Sequence, residues 1–167
     1  MLDLNNYEYL YNAEAHFAAM DMFPDGFFQT MLRDDKKGYD ALCWGLAELS
    51  QQAELVRRYK GLDSKEYLTE EYVRAMLDYN QTPEALRILV GAVSKGLNVQ
   101  QDENEEIDEV LAEIQKKKSK DKLDRARYLS LALSLNMSVK EALLEPMSTV
   151  IDIMNIRNQT NKSRKDT

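Results

Sequence analysis

GYDALCWGLAELSQQAELVRRYKG, residues 38–61, decides the fold class. Tyr39, Leu42, Cys43, Leu46 and Leu49 recur at steps of three and four, which aligns them on one face of an α-helix. Gly61 supplies the stop. It follows Arg57, Arg58 and Lys60, cations placed where they oppose the negative end of the helix dipole.

The same period extends in both directions. Upstream, Asn12 is a cap for AEAHFAAMDM, and the turn residues Pro24 to Gly26 end that helix. Phe27, Phe28, Met31 and Leu32 then form an apolar cluster at helical spacing. Downstream, Thr69 caps EEYVRAMLDYN, with two glutamates in the first turn. Thr82–Pro83 reads as a cap followed by proline at the first helical position, where its missing N–H costs nothing. Leu86, Leu89, Val90, Val93 and Leu97 follow as one apolar stripe. No segment of useful length alternates apolar and polar residues. Only LDLNNYEYLY, at the start, has the tyrosine content of a short strand.

Beyond Asn98 the composition changes. Residues 1–98 hold 10 Lys+Arg and 16 Asp+Glu; residues 99–115 hold no base and seven acids; residues 116–167 hold 12 bases and six acids. Such an asymmetry points to parts with different partners. Within the acidic part, Ile107, Val110, Leu111 and Ile114 fall at i, i+3, i+4, i+7, the pattern of an amphipathic helix that needs a partner surface. After the basic run from Lys116, LDRARYLSLALSLN has enough apolar residues for a buried helix. Ser138–Glu141 is a capping box, and Pro146 ends the short helix it opens. Ser148 or Thr149 is placed to cap a last helix, with Met147, Val150, Ile151 and Met154 on one face. The expected fold is mainly α: an N-terminal multi-helix domain (1–98), a charged helical connector (99–120), a small C-terminal helical domain (121–158) and a polar tail (159–167).

The reactive inventory is thin. With one histidine, His16, and one cysteine, Cys43, the chain alone cannot supply a Cys/His zinc site. Cys43 sits on the apolar stripe and reads as core; His16, beside Phe17, reads as a half-buried or surface residue. A di-metal carboxylate bundle needs Glu-x-x-His on two helices, which one histidine cannot provide. Gly91 and Gly96 have phosphate-loop spacing, but Leu97 and Asn98 stand where Lys and Ser/Thr would be needed. No catalytic, cofactor-binding or metal-binding residue is therefore assigned. The longest uncharged apolar stretch, Tyr128 to Val139, has 12 residues against about 20 for a membrane span. The opening MLDLNNYEYL lacks the basic start of a signal peptide. The expectation is a cytoplasmic protein.

DALCWGLAEL, AELVRRYKGLD and LTEEYVRAMLDYNQTPEALRILVGAVSKGL resemble the tail assembly chaperones of long-tailed bacteriophages and prophages, over roughly residues 4–98. LDRARYLSLALSLNMSVKEALLEPMSTVIDIM is similar to the second piece of their longer form, typically made by programmed ribosomal frameshifting. The resemblance implies a non-enzymatic protein, free of cofactor, that holds the tape measure protein and recruits tail tube subunits without entering the virion. It also places the sign change at the seam between the two pieces, with Lys116–Lys118 as what an A-rich slippery site would encode. The amphipathic connector and the resemblance are compatible with self-association. Ile107, Val110, Leu111 and Ile114 are the residues assigned to partner binding, and eight methionines suit an adaptable surface. Two other readings compete. The first is a helix-turn-helix regulator, although the last helix opens Ser148–Thr149–Val150–Ile151–Asp152 and offers no base until Arg157. The second is a structural virion protein, such as a tail terminator or head–tail adaptor.

Overall fold

A computed structural model describes residues 1–99 and 124–165, and these are mainly helical, with no strand among them. The helices are α1 (Ala13–Met22), α2 (Phe27–Met31), α3 (Lys36–Tyr59), α4 (Glu70–Met76), α5 (Thr82–Gly96), α6 (Arg125–Ser134), α7 (Val139–Leu144) and α8 (Met147–Lys165). The connector residues Ile107, Val110, Leu111 and Ile114 lie outside the described residues.

α3 is the spine. Its stripe is buried at Leu42, Cys43, Leu46 and Leu49, with Tyr39 at the margin. α2 and α5 close on it at Gly45, where a Cβ would stand 2.9 Å from the tip of the Phe27 ring and 3.0 Å from Leu89. Trp44 meets Phe23 and Phe27 edge-on, with ring centroids 5.3 and 5.4 Å away. Leu32, expected with the α2 cluster, is exposed instead.

Three helices end in the same left-handed device. At the end of α3, Leu62 N–H donates to Arg57 O at 2.9 Å and Gly61 N–H to Arg58 O at 3.1 Å, with Gly61 at φ 71°. Asn98 (φ 55°) plays the part of Gly61 after α5, and Asn136 (φ 63°) does so after α6. These bonds satisfy carbonyls that the helix leaves open, and asparagine is the residue besides glycine that tolerates the conformation.

Several expected boundaries shift. The opening stretch is a 3₁₀ turn (Leu4–Asn6) and an extended run rather than a paired strand. Leu10 N–H donates to Leu49 O at 3.0 Å. The Gln81 side-chain amide stands in for a neighbouring strand: its Nε2 donates to Leu2 O at 2.6 Å, and its Oε1 accepts from Leu2 N–H at 3.2 Å. α4 stops at Met76. A 3₁₀ turn, Tyr79–Gln81, capped by Asp78, then runs directly into α5, so Thr82 is the first helical residue rather than the cap. α6 is not buried all round: Tyr128 and Ala132 are enclosed while Leu133 is exposed. Ser148 caps nothing. It lies in the first turn of α8 and donates to Gly96 O at 2.9 Å. α8 continues through the expected polar tail to Lys165.

The C-terminal helices pack on α1. Ala13 and Phe17 of α1 join Tyr128, Ala132, Ala142, Met147 and Val150 in a second buried cluster. Ala13 N–H donates to Glu145 O at 2.9 Å, and Tyr128 Oη–H to Ala142 O at 2.6 Å. The expected caps Asn12, Thr69 and Ser138 are all in place, the last with its reciprocal Glu141 contact.

Candidate functional site

The candidate chemical residues are structural. Burial pushes the Cys43 thiol above its ordinary range, with the Tyr39 hydroxyl beside it pulling the other way; a thiol held protonated is a poor nucleophile. His16 is buried, not half-exposed. Its Nδ1 lies 2.7 Å from Tyr11 Oη, and its ring stands edge-on between Tyr11 and Phe17. Neighbouring Asn12 caps α1 at Ala15 N–H and donates from Nδ2 to Gln52 Oε1 at 3.0 Å, so this polar group ties α1 to α3. Gly91 and Gly96 lie within α5. A Cβ on Gly96 would sit 2.2 Å from Tyr11 O, so the glycine serves a close backbone approach. Among the described residues, no group of three or more His, Cys, Asp or Glu is placed to hold a metal ion.

What the surface does carry is a set of exposed large apolar side chains along α3, α4 and the segment that joins them. Leu55 and Tyr59 are one turn apart on α3, and Tyr72 and Met76 one turn apart on α4; all are exposed. Between the helices runs the segment 62–69, which has no regular structure. α3 side chains hold it in place of a strand. Ser50 Oγ accepts from Leu68 N–H at 2.8 Å, Glu54 Oε2 from Lys65 N–H at 2.8 Å, and Arg57 Nε donates to Asp63 O at 2.9 Å. The bond from Lys65 N–H holds the Glu54 carboxyl below the usual carboxylate range, and Arg58 Nε, 3.1 Å away, acts in the same direction.

Tyr67, presented by this segment, joins the two helical rows. It shares one hollow with Leu55 and Arg58, and a second, of about 570 Å³, with Tyr7, Thr69 and Tyr72. Lys65 Nζ, 2.7 Å from Glu8, holds that carboxyl below its ordinary range as well. The result is an apolar belt of Leu55, Tyr67 and Tyr72 flanked by ion pairs, the composition of a protein-docking surface. Sequence reasoning missed it because Tyr67 lies on no periodic element.

No family model matches this chain, and no curated protein or solved structure matches it significantly. The functional argument therefore rests on the residues themselves. Among the described residues, no helix is long and apolar enough to cross a membrane. The end of α8 that would read bases in a helix-turn-helix protein faces its own chain: Met147 and Val150 are buried and Ser148 is bonded to Gly96.

Proposed function

We propose that this chain is a non-enzymatic tail assembly chaperone of a long-tailed bacteriophage or prophage. It acts in the host cytoplasm, holds the tape measure protein, helps recruit tail tube subunits and does not enter the finished virion. The observation that supports this reading is the apolar belt of Leu55, Tyr67 and Tyr72, of which each residue is 44% to 46% exposed. A tape measure protein is a long helical rod, and a client of that kind presents apolar helix stripes that such a belt can cover. The connector row Ile107, Val110, Leu111 and Ile114 is the second partner-binding element of the proposal, and self-association of the chaperone is compatible with both.

The test is co-expression with the tape measure protein of the same genome, followed by capture on a tag at the N-terminus of this chain. The expected result is a complex that Leu55→Asp with Tyr72→Asp weakens at least tenfold while the helix content of the chaperone is unchanged. Failure of the unmutated chain to retain the tape measure protein would end the proposal. Salt-steep DNA binding by the full chain would point to the regulator instead, and recovery of the chain in purified particles to a structural role.

A further inference from the structure

Three tyrosines and an uncompensated carboxylate meet at the hollow of about 570 Å³ beside Tyr67. Tyr7, Tyr67 and Tyr72 line it, together with Lys65, Glu66 and Thr69. The tyrosines come from separate parts of the chain: Tyr7 from the extended run after the first 3₁₀ turn, Tyr67 from the segment 62–69, and Tyr72 from the first turn of α4. Tyr7 packs against the first cluster, while Tyr67 and Tyr72 are exposed. The arrangement is held in advance of any ligand. Lys65 N–H is bonded to Glu54 and Leu68 N–H to Ser50, so Glu66 and Tyr67 stand between two anchored residues. Thr69 Oγ1 accepts from Tyr72 N–H at 3.2 Å and fixes the start of α4. The charge of the hollow is unbalanced. Lys65 Nζ is taken up by Glu8 at 2.7 Å, whereas Glu66 is exposed and has no ion-pair partner among the described residues. Burial raises the pKa of the Tyr7 hydroxyl, and Tyr72, Glu66 and Asp3 act in the same direction, so negative charge reaches the place where the hydroxyls gather.

We propose that this hollow receives an arginine side chain of a partner polypeptide, with the guanidinium set among Tyr7, Tyr67 and Tyr72 and against the Glu66 carboxylate. Aromatic rings attract cations, and tyrosine adds a hydroxyl oxygen that accepts hydrogen bonds. Arginine suits such a site better than lysine. Its planar group stacks on rings, is weakly hydrated and carries several N–H donors in a fixed fork, enough to reach hydroxyl and carboxylate oxygens together. A lysine ammonium is a strongly hydrated point charge that does not stack. Because the segment and the start of α4 are already anchored, little ordering remains for the ligand to impose. On the other side of Tyr67, Leu55 lines the neighbouring hollow, so the partner that fits carries an apolar residue close to its arginine. This inference deepens the docking reading of the belt and rests on it: it adds a positive charge to what Leu55, Tyr67 and Tyr72 accept.

The test is a titration of the full chain followed by the NMR signals of the Glu66, Tyr67 and Tyr72 amides. The probes are the peptide acetyl-Gly-Leu-Arg-Gly-amide, the same peptide with citrulline, which keeps the shape of arginine without its charge, and the same peptide with lysine. The expected result is a saturable shift at those amides with the arginine peptide and binding weaker by about fivefold with citrulline. Glu66→Gln should weaken the arginine peptide by about fivefold as well and leave the citrulline peptide unchanged, a coupling that a merely structural role would not produce. Tyr72→Leu, which keeps apolar bulk and removes the ring, should also weaken the arginine peptide. Glu66 and Tyr72 are both exposed, so both variants should keep the helix content of the parent. Equal binding of the arginine and citrulline peptides, or a Glu66→Gln protein that binds arginine as the parent does, would overturn the proposal. Shifts confined to other parts of the chain, or a lysine peptide that binds as tightly as arginine, would overturn it too. The titration contains no client protein. Its failure beside successful capture of the tape measure protein would end this inference alone, and its success beside failed capture would end only the chaperone reading.

Discussion

Replacing Phe17 by alanine tests the joint between the two ends of the chain. The side chain is 3% exposed and belongs to the second cluster, not the first. Its ring lies 5.5 Å from that of Tyr128 at 56°, and 5.4 Å from that of His16 at 78°. Removing a buried phenylalanine costs about 3–5 kcal/mol in lost transfer energy and cavity. The pair with Tyr128 should account for about 0.5–1.5 kcal/mol of that. Against a typical stability of about 5–15 kcal/mol, Phe17→Ala is a severe change. Urea titration should show it as a lower midpoint, and a double-mutant cycle of Phe17→Leu with Tyr128→Leu should return the ring coupling.

Hydrogen exchange gives the sharper reading, because the damage should be local. α6, α7 and α8 lose protection, while the amides of α3 and α5, whose cluster does not contain Phe17, keep theirs. A cost below about 1 kcal/mol would be far under the range for a buried phenylalanine. That result, or a loss of protection spread evenly over both clusters, would refute the view that α1 carries the C-terminal helices.

Gly45→Ala should destabilise, although alanine is the better helix former. Its Cβ lands 2.9 Å from Phe27 and 3.0 Å from Leu89, and overpacking of that kind costs about 1–3 kcal/mol in thermal or urea unfolding. Glu54→Gln should lower stability at neutral pH and flatten the acid limb of the stability curve. The native carboxyl is held below its ordinary value, so its contribution is present above the unfolded carboxylate range and is lost as pH falls through the native value. Urea midpoints of the two proteins should therefore converge on acidification. At the alkaline end, burial raises the hydroxyl pKa of Tyr9, Tyr11 and Tyr128. The unfolded chain then releases protons first, so stability should fall steadily once pH passes about 10. A flat stability curve there would contradict their burial.

The sequence disclosed helices more readily than their neighbours. The stripes of α3 and α5 follow a 3.6-residue period over many turns, and burial at Leu42, Leu46, Leu49, Leu89, Val90 and Val93 follows them. Capping was legible where a side chain does the work, at Asn12, Thr69 and Ser138. It was missed at Asn98 and Asn136, where the signal is only an asparagine one place beyond the helix. α6 misled because leucines surround it, yet only the side bearing Tyr128 and Ala132 meets the rest of the protein. Residues 62–69 carried no periodic signal because polar α3 side chains, rather than a pattern of its own, hold that segment. The connector row rests on spacing alone, outside the described residues.

α1 explains why the organisation was the hardest thing to read. Its sequence, AEAHFAAMDM, shows no single apolar stripe, which would ordinarily weaken the case for a packed helix. The structure supplies the reason. Ala15 and Ala19 face the first cluster, while Ala13 and Phe17, about 200° round the helix at 100° per residue, face the second. A helix shared between two cores must be apolar on opposite sides, and that requirement erases its amphipathic signature. Small side chains suit it, because alanine lets neighbours approach closely on both faces: α1 contacts α3 on one side and α7 on the other. The polar group His16–Asn12–Gln52 fills the remaining buried positions with hydrogen bonds. The seam in sequence between residues 99 and 124 is therefore not a seam in space. A product ending between Lys116 and Lys120, as the chaperone reading allows, would lack α6, α7 and α8 and leave Ala13 and Phe17 uncovered. The two products of such a gene would differ by the loss of a domain and also by the gain of an apolar face.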